Sequence, residues 1–191
     1  MADQEKHNLV IVTYDFTDEA NCAMNHASHV AKITGANVAL VHIINHDSKS
    51  KFKAGSASVE SVIEQKLKTI CEKNTNDTGI KTFSILREGS IFSTIAAITQ
   101  ETKAKLVVLG THGVRGMQHV LGAFALKVVT SSPAPVIIVQ AKAITPAGYN
   151  PIILPIDESV ETKQKSHQAI LFAKENNAVV HIFSKYEKDE Y

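Results

Sequence analysis

Four glycines punctuate one short stretch of the chain: Gly110, Gly113, Gly116 and Gly122. They follow a continuous apolar run, Leu106–Leu109, and precede a helix-like segment, Ala123–Val129. A glycine loop between a strand and a helix N-terminus can cradle an anion. Glycine lets the backbone approach closely, and unpaired N–H groups with the helix dipole favour phosphate. The same glycines can also simply make a turn. His112 lies inside the loop and reads equally as a solvated loop residue. Arg115 and His119 could neutralise phosphate charge, but a solvated charge on a surface loop is the favoured reading of each. Far upstream, Asp15 ends the apolar run Leu9–Thr13. Its carboxylate can accept a hydrogen bond from a sugar or a base, or it can cap the helix that follows.

Other chemistries lack their residues. There is no Gly-x-Ser-x-Gly elbow for a hydrolase and no Gly-x4-Gly-Lys-Ser/Thr phosphate loop. The turn after the first strand, Tyr14–Asp18, carries none of the glycines a dinucleotide fold needs. His26 and His29 share a helix face, but no Cys or carboxylate joins them as metal ligands. Cys22 and Cys71 are too few for a disulfide framework and read as buried free thiols. With a net charge of +1 over 191 residues and no Lys/Arg block, neither nucleic acid nor a membrane surface is an expected partner. The polar start, MADQEKHN, has no signal-peptide character, so the expected location is cytoplasmic.

The elements that must position these residues follow from periodicity. Leu9–Thr13 reads as a strand, and Thr17 caps a helix carrying Ala20, Ala23, Ala27, Val30 and Ala31 on one face, ended by Gly35. Asn37–Ile44 is a second strand, and His46–Ala57 reads as a polar loop. Val59, Ile63, Leu67 and Cys71 mark a second helix, which Asn74–Asp77 is expected to break. Ile80–Leu86 is a third strand, and Ile91, Ile95 and Ile98 mark a third helix. The glycine region and Val136–Val139 complete the pattern. Short β-branched runs alternating with helices predict an α/β fold. The expected architecture is a doubly wound five-stranded parallel sheet, order 3-2-1-4-5, with helices on both faces. Its switch point falls between the first and fourth strands, which brings Asp15 and Gly110–Gly113 to one crevice.

The glycine loop resembles that of the universal stress protein family, whose pattern is Gly-x2-Gly, nine residues, then Gly-Ser or Gly-Thr. Gly110 and Gly113 match the first pair; eight residues, Val114–Leu121, then lead to Gly122 and Ala123. The spacing is one short, and Ala123 and Ala125 stand where nucleotide-binding relatives carry hydroxyls. The first strand and its turn, Val12–Thr17, carry the resemblance further. The resemblance implies an adenine-nucleotide site, for ATP or AMP with any accompanying Mg, built from Asp15, Ile43, Leu109, Gly110, His112, Gly113, Arg115, Gly122 and Ala123. It implies a stress-response regulatory module with no catalytic machinery beyond slow nucleotide hydrolysis; the short loop and the alanines Ala123 and Ala125 make the expected binding weak. The alternatives are a dimeric interaction module that binds no nucleotide and an adenylating enzyme. The apolar edge strand Pro135–Gln140 and the family resemblance predict self-association as a homodimer or even-numbered oligomer.

Beyond a linker, residues 141–150, the chain repeats itself. Asp157, Ser159 and Ala169 each lie 142 positions after Asp15, Thr17 and Ala27. Ala178–Ile182 matches Ala39–Ile43 at a spacing of 139, which predicts a helix-to-strand turn three residues shorter in the second copy. Residues 1–140 therefore read as one full domain and 151–191 as a partial second copy.

Overall fold

The computed structural model describes residues 8–52, 58–111, 123–145, 148–157 and 159–184. The chain divides into two compact units, Met1–Ala143 and Ile144–Tyr191.

The first unit is built on five parallel strands: β1 (Leu9–Thr13), β2 (Asn37–Ile44), β3 (Thr82–Glu88), β4 (Leu106–Gly110) and β5 (Val136–Val139). Their order is β3-β2-β1-β4-β5, as the alternating pattern predicts. The helices are α1 (Asp18–Thr34), α2 (His46–Lys51), α3 (Val59–Thr78), α4 (Ile91–Thr102) and α5 (Ala123–Ser131). The three inner strands are almost wholly buried because helices cover both faces. One core layer joins Leu9, Ile11, Ala39, Val41 and Val107 to Ile95 and Ile98 of α4 and Ala125 and Val128 of α5. Alanines on α1 (Ala20, Ala23, Ala27 and Ala31) bury its other contact face and let the helix lie close to the sheet.

Local chemistry fixes the ends of α1. Thr17 Oγ1 accepts from the Ala20 N–H at 3.2 Å, and Gly35, in the left-handed region at φ 63°, closes the C-terminus. Two sequence expectations fail nearby. Residues 46–51 form a helix rather than a loop, because the Asn45 side chain caps it by accepting from Ser48 N–H at 2.9 Å. The Asn74–Asp77 stretch does not break α3, which runs on to Thr78. There the Asn74 amide is buried and donates to Ser28 Oγ (3.1 Å) and Thr82 Oγ1 (2.8 Å). Thr75 and Thr78 turn their hydroxyls onto carbonyls one turn back, so these polar residues are satisfied inside the helix. Of the two cysteines, Cys71 is buried as expected, whereas Cys22 is half-buried, its thiol facing the Lys142 carbonyl at 2.8 Å.

The second unit is a β-α-β piece: β6 (Ile152–Ile156), α6 (Glu161–Asn176) and β7 (Val180–Ser184), with β6 and β7 parallel. Its geometry keeps the 142-residue spacing throughout. Ile11 pairs with Ala39, and Ile153 with His181. The backbone bond Ala36 N–H to Ala31 O (2.9 Å) recurs as Ala178 N–H to Ala173 O (2.9 Å). The expected three-residue shortening is therefore absent. Asn177, left-handed at φ 46°, ends α6 where Gly35 ends α1 and fixes the same exit path. The similar strings Ala39–Ile43 and Ala178–Ile182 sit three residues out of structural register.

Candidate functional site

A cavity of ≈ 280 Å³ opens at the carboxyl ends of β1, β2 and β4. This is the switch point of the sheet, where chains diverge to opposite faces and leave a crevice. The floor is apolar: Val41 and Ile43 from β2, Leu109 from β4, and Ile91 and Ile95 from α4.

Asp15 stands at the rim, directly after β1. Its Oδ1 accepts both the Thr17 N–H (3.1 Å) and the Thr17 hydroxyl. That hydroxyl in turn receives Ala20 N–H, so the carboxylate organises the α1 cap. Its second oxygen has no protein partner among the described residues. Phe16 between them adopts φ 65°, a left-handed conformation uncommon for a bulky residue. That turn aims its ring at an aromatic cluster with Tyr14 (5.3 Å between centroids), His42 (5.1 Å) and Phe52 (4.9 Å). Tyr14 donates its hydroxyl to Asn21 Oδ1. Burial, reinforced by the neighbouring Asp15 charge, pushes its pKa up to about 12.

His42, 3% exposed, is held by two contacts. Its Nδ1 lies 2.6 Å from the Tyr14 carbonyl, which only accepts, so Nδ1 carries the proton. Its Nε2 lies 3.1 Å from Ser48 Oγ. Burial holds the imidazole below its ordinary pKa, and the ring is neutral at pH 7 with Ser48 donating to Nε2. The ring thus ties β1, β2 and α2 together at one end of the cavity.

Of the residues expected at a nucleotide site, Asp15, Ile43, Leu109 and Gly110 line this one cavity. His112, Gly113, Arg115 and Gly122 lie outside the described residues. Ala123 begins α5 and is exposed. Ala125, expected to mark a lost hydroxyl, faces the core and is fully buried; from α5 it is Phe124 that lines the cavity. Gly110 has a packing reason of its own. A Cβ there would come within 2.4 Å of the Glu19 carbonyl oxygen, so only glycine lets α1 cross β4 this closely.

Sequence reasoning missed His42, Ser48, Lys51 and Phe52, all in the lining. His42 entered the sequence reading only as part of the string Ala39–Ile43, beside the expected site residue Ile43. The other three were hidden in a stretch read as loop. The available signal was Asn45 three residues before Ser48, a helix cap. Among the described residues no helix is long and apolar enough to cross a membrane.

Comparison with known proteins agrees with this architecture. The profile of the universal stress protein family matches residues 7–140. A universal stress protein of Methanocaldococcus jannaschii is 24% identical over 141 residues, covering 70% of this chain and 82% of the relative. Among solved structures, a universal stress protein from Archaeoglobus fulgidus superposes with TM-score 0.52 at 22% identity, over 72% of this chain and 45% of that one. A universal stress protein in complex with cAMP superposes with TM-score 0.54 at 18% identity, over 71% of this chain and 98% of that one. With the matched region spanning the whole five-stranded unit, the chain belongs to the universal stress protein family.

Proposed function

We propose that this chain is a regulatory module that binds an adenine nucleotide weakly in the cavity at the switch point, and that AMP is retained better than ATP. The observation that carries the reading is the convergence of Asp15, Ile43, Leu109 and Gly110 on one apolar crevice of ligand-admitting size. A planar base suits walls made of Ile43, Leu109 and Phe124, and Asp15 offers a carboxylate oxygen at the rim. The relative solved with cAMP holds an adenine nucleotide on the same fold. The weakness expected for ATP rests on the short glycine loop and on Ala123, which removes a hydroxyl donor; a hydrogen bond to a charged group contributes about 1.5–3 kcal/mol.

Isothermal titration of wild type, Asp15→Ala and Arg115→Ala with AMP and ATP tests the proposal. The expected outcome is a measurable AMP affinity in wild type, lowered more by Asp15→Ala than by Arg115→Ala. Absence of heat with both nucleotides at millimolar concentration would overturn it. One observation favours a second reading, an interaction module without nucleotide. Asp15 already serves the α1 cap, and Gly110 already serves helix packing, so neither requires a ligand to explain it. In either reading, self-association through β5 is proposed from its place at the outer edge of the sheet. A concentration-independent monomer in analytical ultracentrifugation would refute that part. We also propose that the β6-α6-β7 unit is a partial second copy of the family domain, supported by its constant 142-residue spacing.

A further inference from the structure

Helix α2 carries two lysines that diverge. Lys49 pairs with Glu88 of β3 and takes no part in the cavity lining. Lys51, the last helical residue, turns the other way. Its Nζ donates to the Asp15 backbone carbonyl at 3.3 Å and stands 5.8 Å from the centroid of the Phe52 ring. The helix is anchored at both ends: Asn45 caps its start, and Phe52 packs against Phe16 and His42 at its close. Ser48, buried in its middle, bonds to His42. The stem of Lys51 therefore starts from a fixed point at the cavity mouth.

Charge is scarce in this cavity. Among the described lining residues Asp15 is the one carboxylate and Lys51 the one side chain with a full positive charge, His42 being neutral. An anion entering the crevice meets the Asp15 carboxylate, which repels it. An ammonium carries three donors, and Lys51 commits one to a carbonyl, so it can offset that repulsion and still donate to a ligand oxygen. The geometry points to Lys51 as the residue that selects a phosphorylated nucleoside over the uncharged nucleoside in this cavity. The inference rests on the adenine-nucleotide reading of the site and adds a determinant from α2, outside the glycine loop. Because Lys51 is exposed, the preference is electrostatic and salt-sensitive: raising the ionic strength narrows the difference between nucleotide and nucleoside.

The test is isothermal titration of the full chain with AMP and with adenosine, for wild type, Lys51→Gln, Lys51→Arg and Lys49→Gln. Each variant's melting curve is recorded beside its titration. Lys51→Gln lowers AMP affinity about tenfold, the scale of one charge-assisted hydrogen bond, and leaves adenosine affinity unchanged. Lys51→Arg keeps AMP affinity within about threefold, because the charge is retained. Lys49→Gln behaves as wild type with both ligands. An unchanged AMP affinity in Lys51→Gln, or an equal loss for AMP and adenosine, overturns the inference while leaving the nucleotide reading standing. Wild type that binds neither ligand overturns that reading and this inference with it.

Discussion

The β1-α1-β2 piece of the first unit and the β6-α6-β7 piece of the second are built from the same local instructions and reach different ends. In both, an aspartate accepts the N–H and hydroxyl of the residue two positions on: Asp15 from Thr17, Asp157 from Ser159. In both, a left-handed residue ends the helix and a parallel strand returns. Burial then separates them. Ile11 is 0% exposed and its positional partner Ile153 is 70% exposed; Val41 is 2% exposed and Phe183 is 66% exposed. The first piece has β3 and β4 against its strands, with α4 and α5 closing the core layer on one face. The second has one helix on one face, where Leu154 and Ala169 are buried. Turns and caps can be specified within about 20 residues, but a sheet with two covered faces needs elements from distant sequence.

The comparison breaks most visibly under core truncation. Ile11→Ala should lower the unfolding free energy by about 4 kcal/mol, from lost burial and the cavity left behind. Ile153→Ala should change it by less than about 0.5 kcal/mol, since an exposed side chain loses little. Urea denaturation measures both. A comparable loss for Ile153 would show that its face is covered in solution.

Gly110→Ala comes next, with an expected loss of about 2–3 kcal/mol from forced separation of α1 and β4. Among the described residues the second unit has no strand at the corresponding place to crowd α6. If the variant melts like wild type, the close approach of α1 is not a constraint on the fold.

Capping sharpens the comparison on a smaller scale. Thr17→Ala removes the acceptor for Ala20 N–H and should destabilise by about 1 kcal/mol. Ser159→Ala should have less effect, because α6 has no side-chain cap hydrogen bond. There Asp157 also bonds Thr162 directly, and these hydroxyls hold its carboxyl well below the usual range. Equal losses in the two variants would remove the distinction.

The smallest expected effect is in pH dependence. His42 is held below its ordinary pKa by burial, and the unfolded chain protonates near about 6.5. The native state therefore binds fewer protons than the unfolded state in this range. The stability gained by keeping the ring neutral is complete above that value and is lost as pH falls through the lower native pKa. The melting temperature of wild type should drop more steeply over this window than that of His42→Gln. Its positional partner in the second unit is Ser184, which cannot titrate there. Parallel pH profiles for the two proteins would count against His42 as the group responsible.

Much of this protein could be read from its residues. Apolar runs of four to eight residues announced β1, β2, β4 and β5, while β3 lies two residues beyond the expected Ile80–Leu86. The alternation of strands with helical faces announced the sheet order. Thr17 and Gly35 announced the ends of α1 because caps act through hydrogen bonds and backbone angles local to a few residues. The switch point followed from strand order, which brought Asp15 and Gly110–Gly113 to one crevice, whereas Ile43 and Leu109 were expected there only from the family resemblance. The helix α2 escaped because a six-residue polar segment shows no apolar period, and its anchor is His42, a residue of another element. The likeness between the two stretches was visible in sequence, but its register was not. The strings at Ala39 and Ala178 look alike, yet the α6 cap at Asn177 sets the strand phase, and one string slides by three residues.

Sequence alone settled the fold class, the strand order and the caps of α1, since these depend on periodicity and short-range hydrogen bonds. Tertiary structure decided the rest: that Gly110 is glycine for the sake of Glu19, that Ala125 belongs to the core, and that Lys51 and His42 face one cavity. Each of those depends on the distance between residues far apart in the chain, which only the packing of helices on the sheet determines.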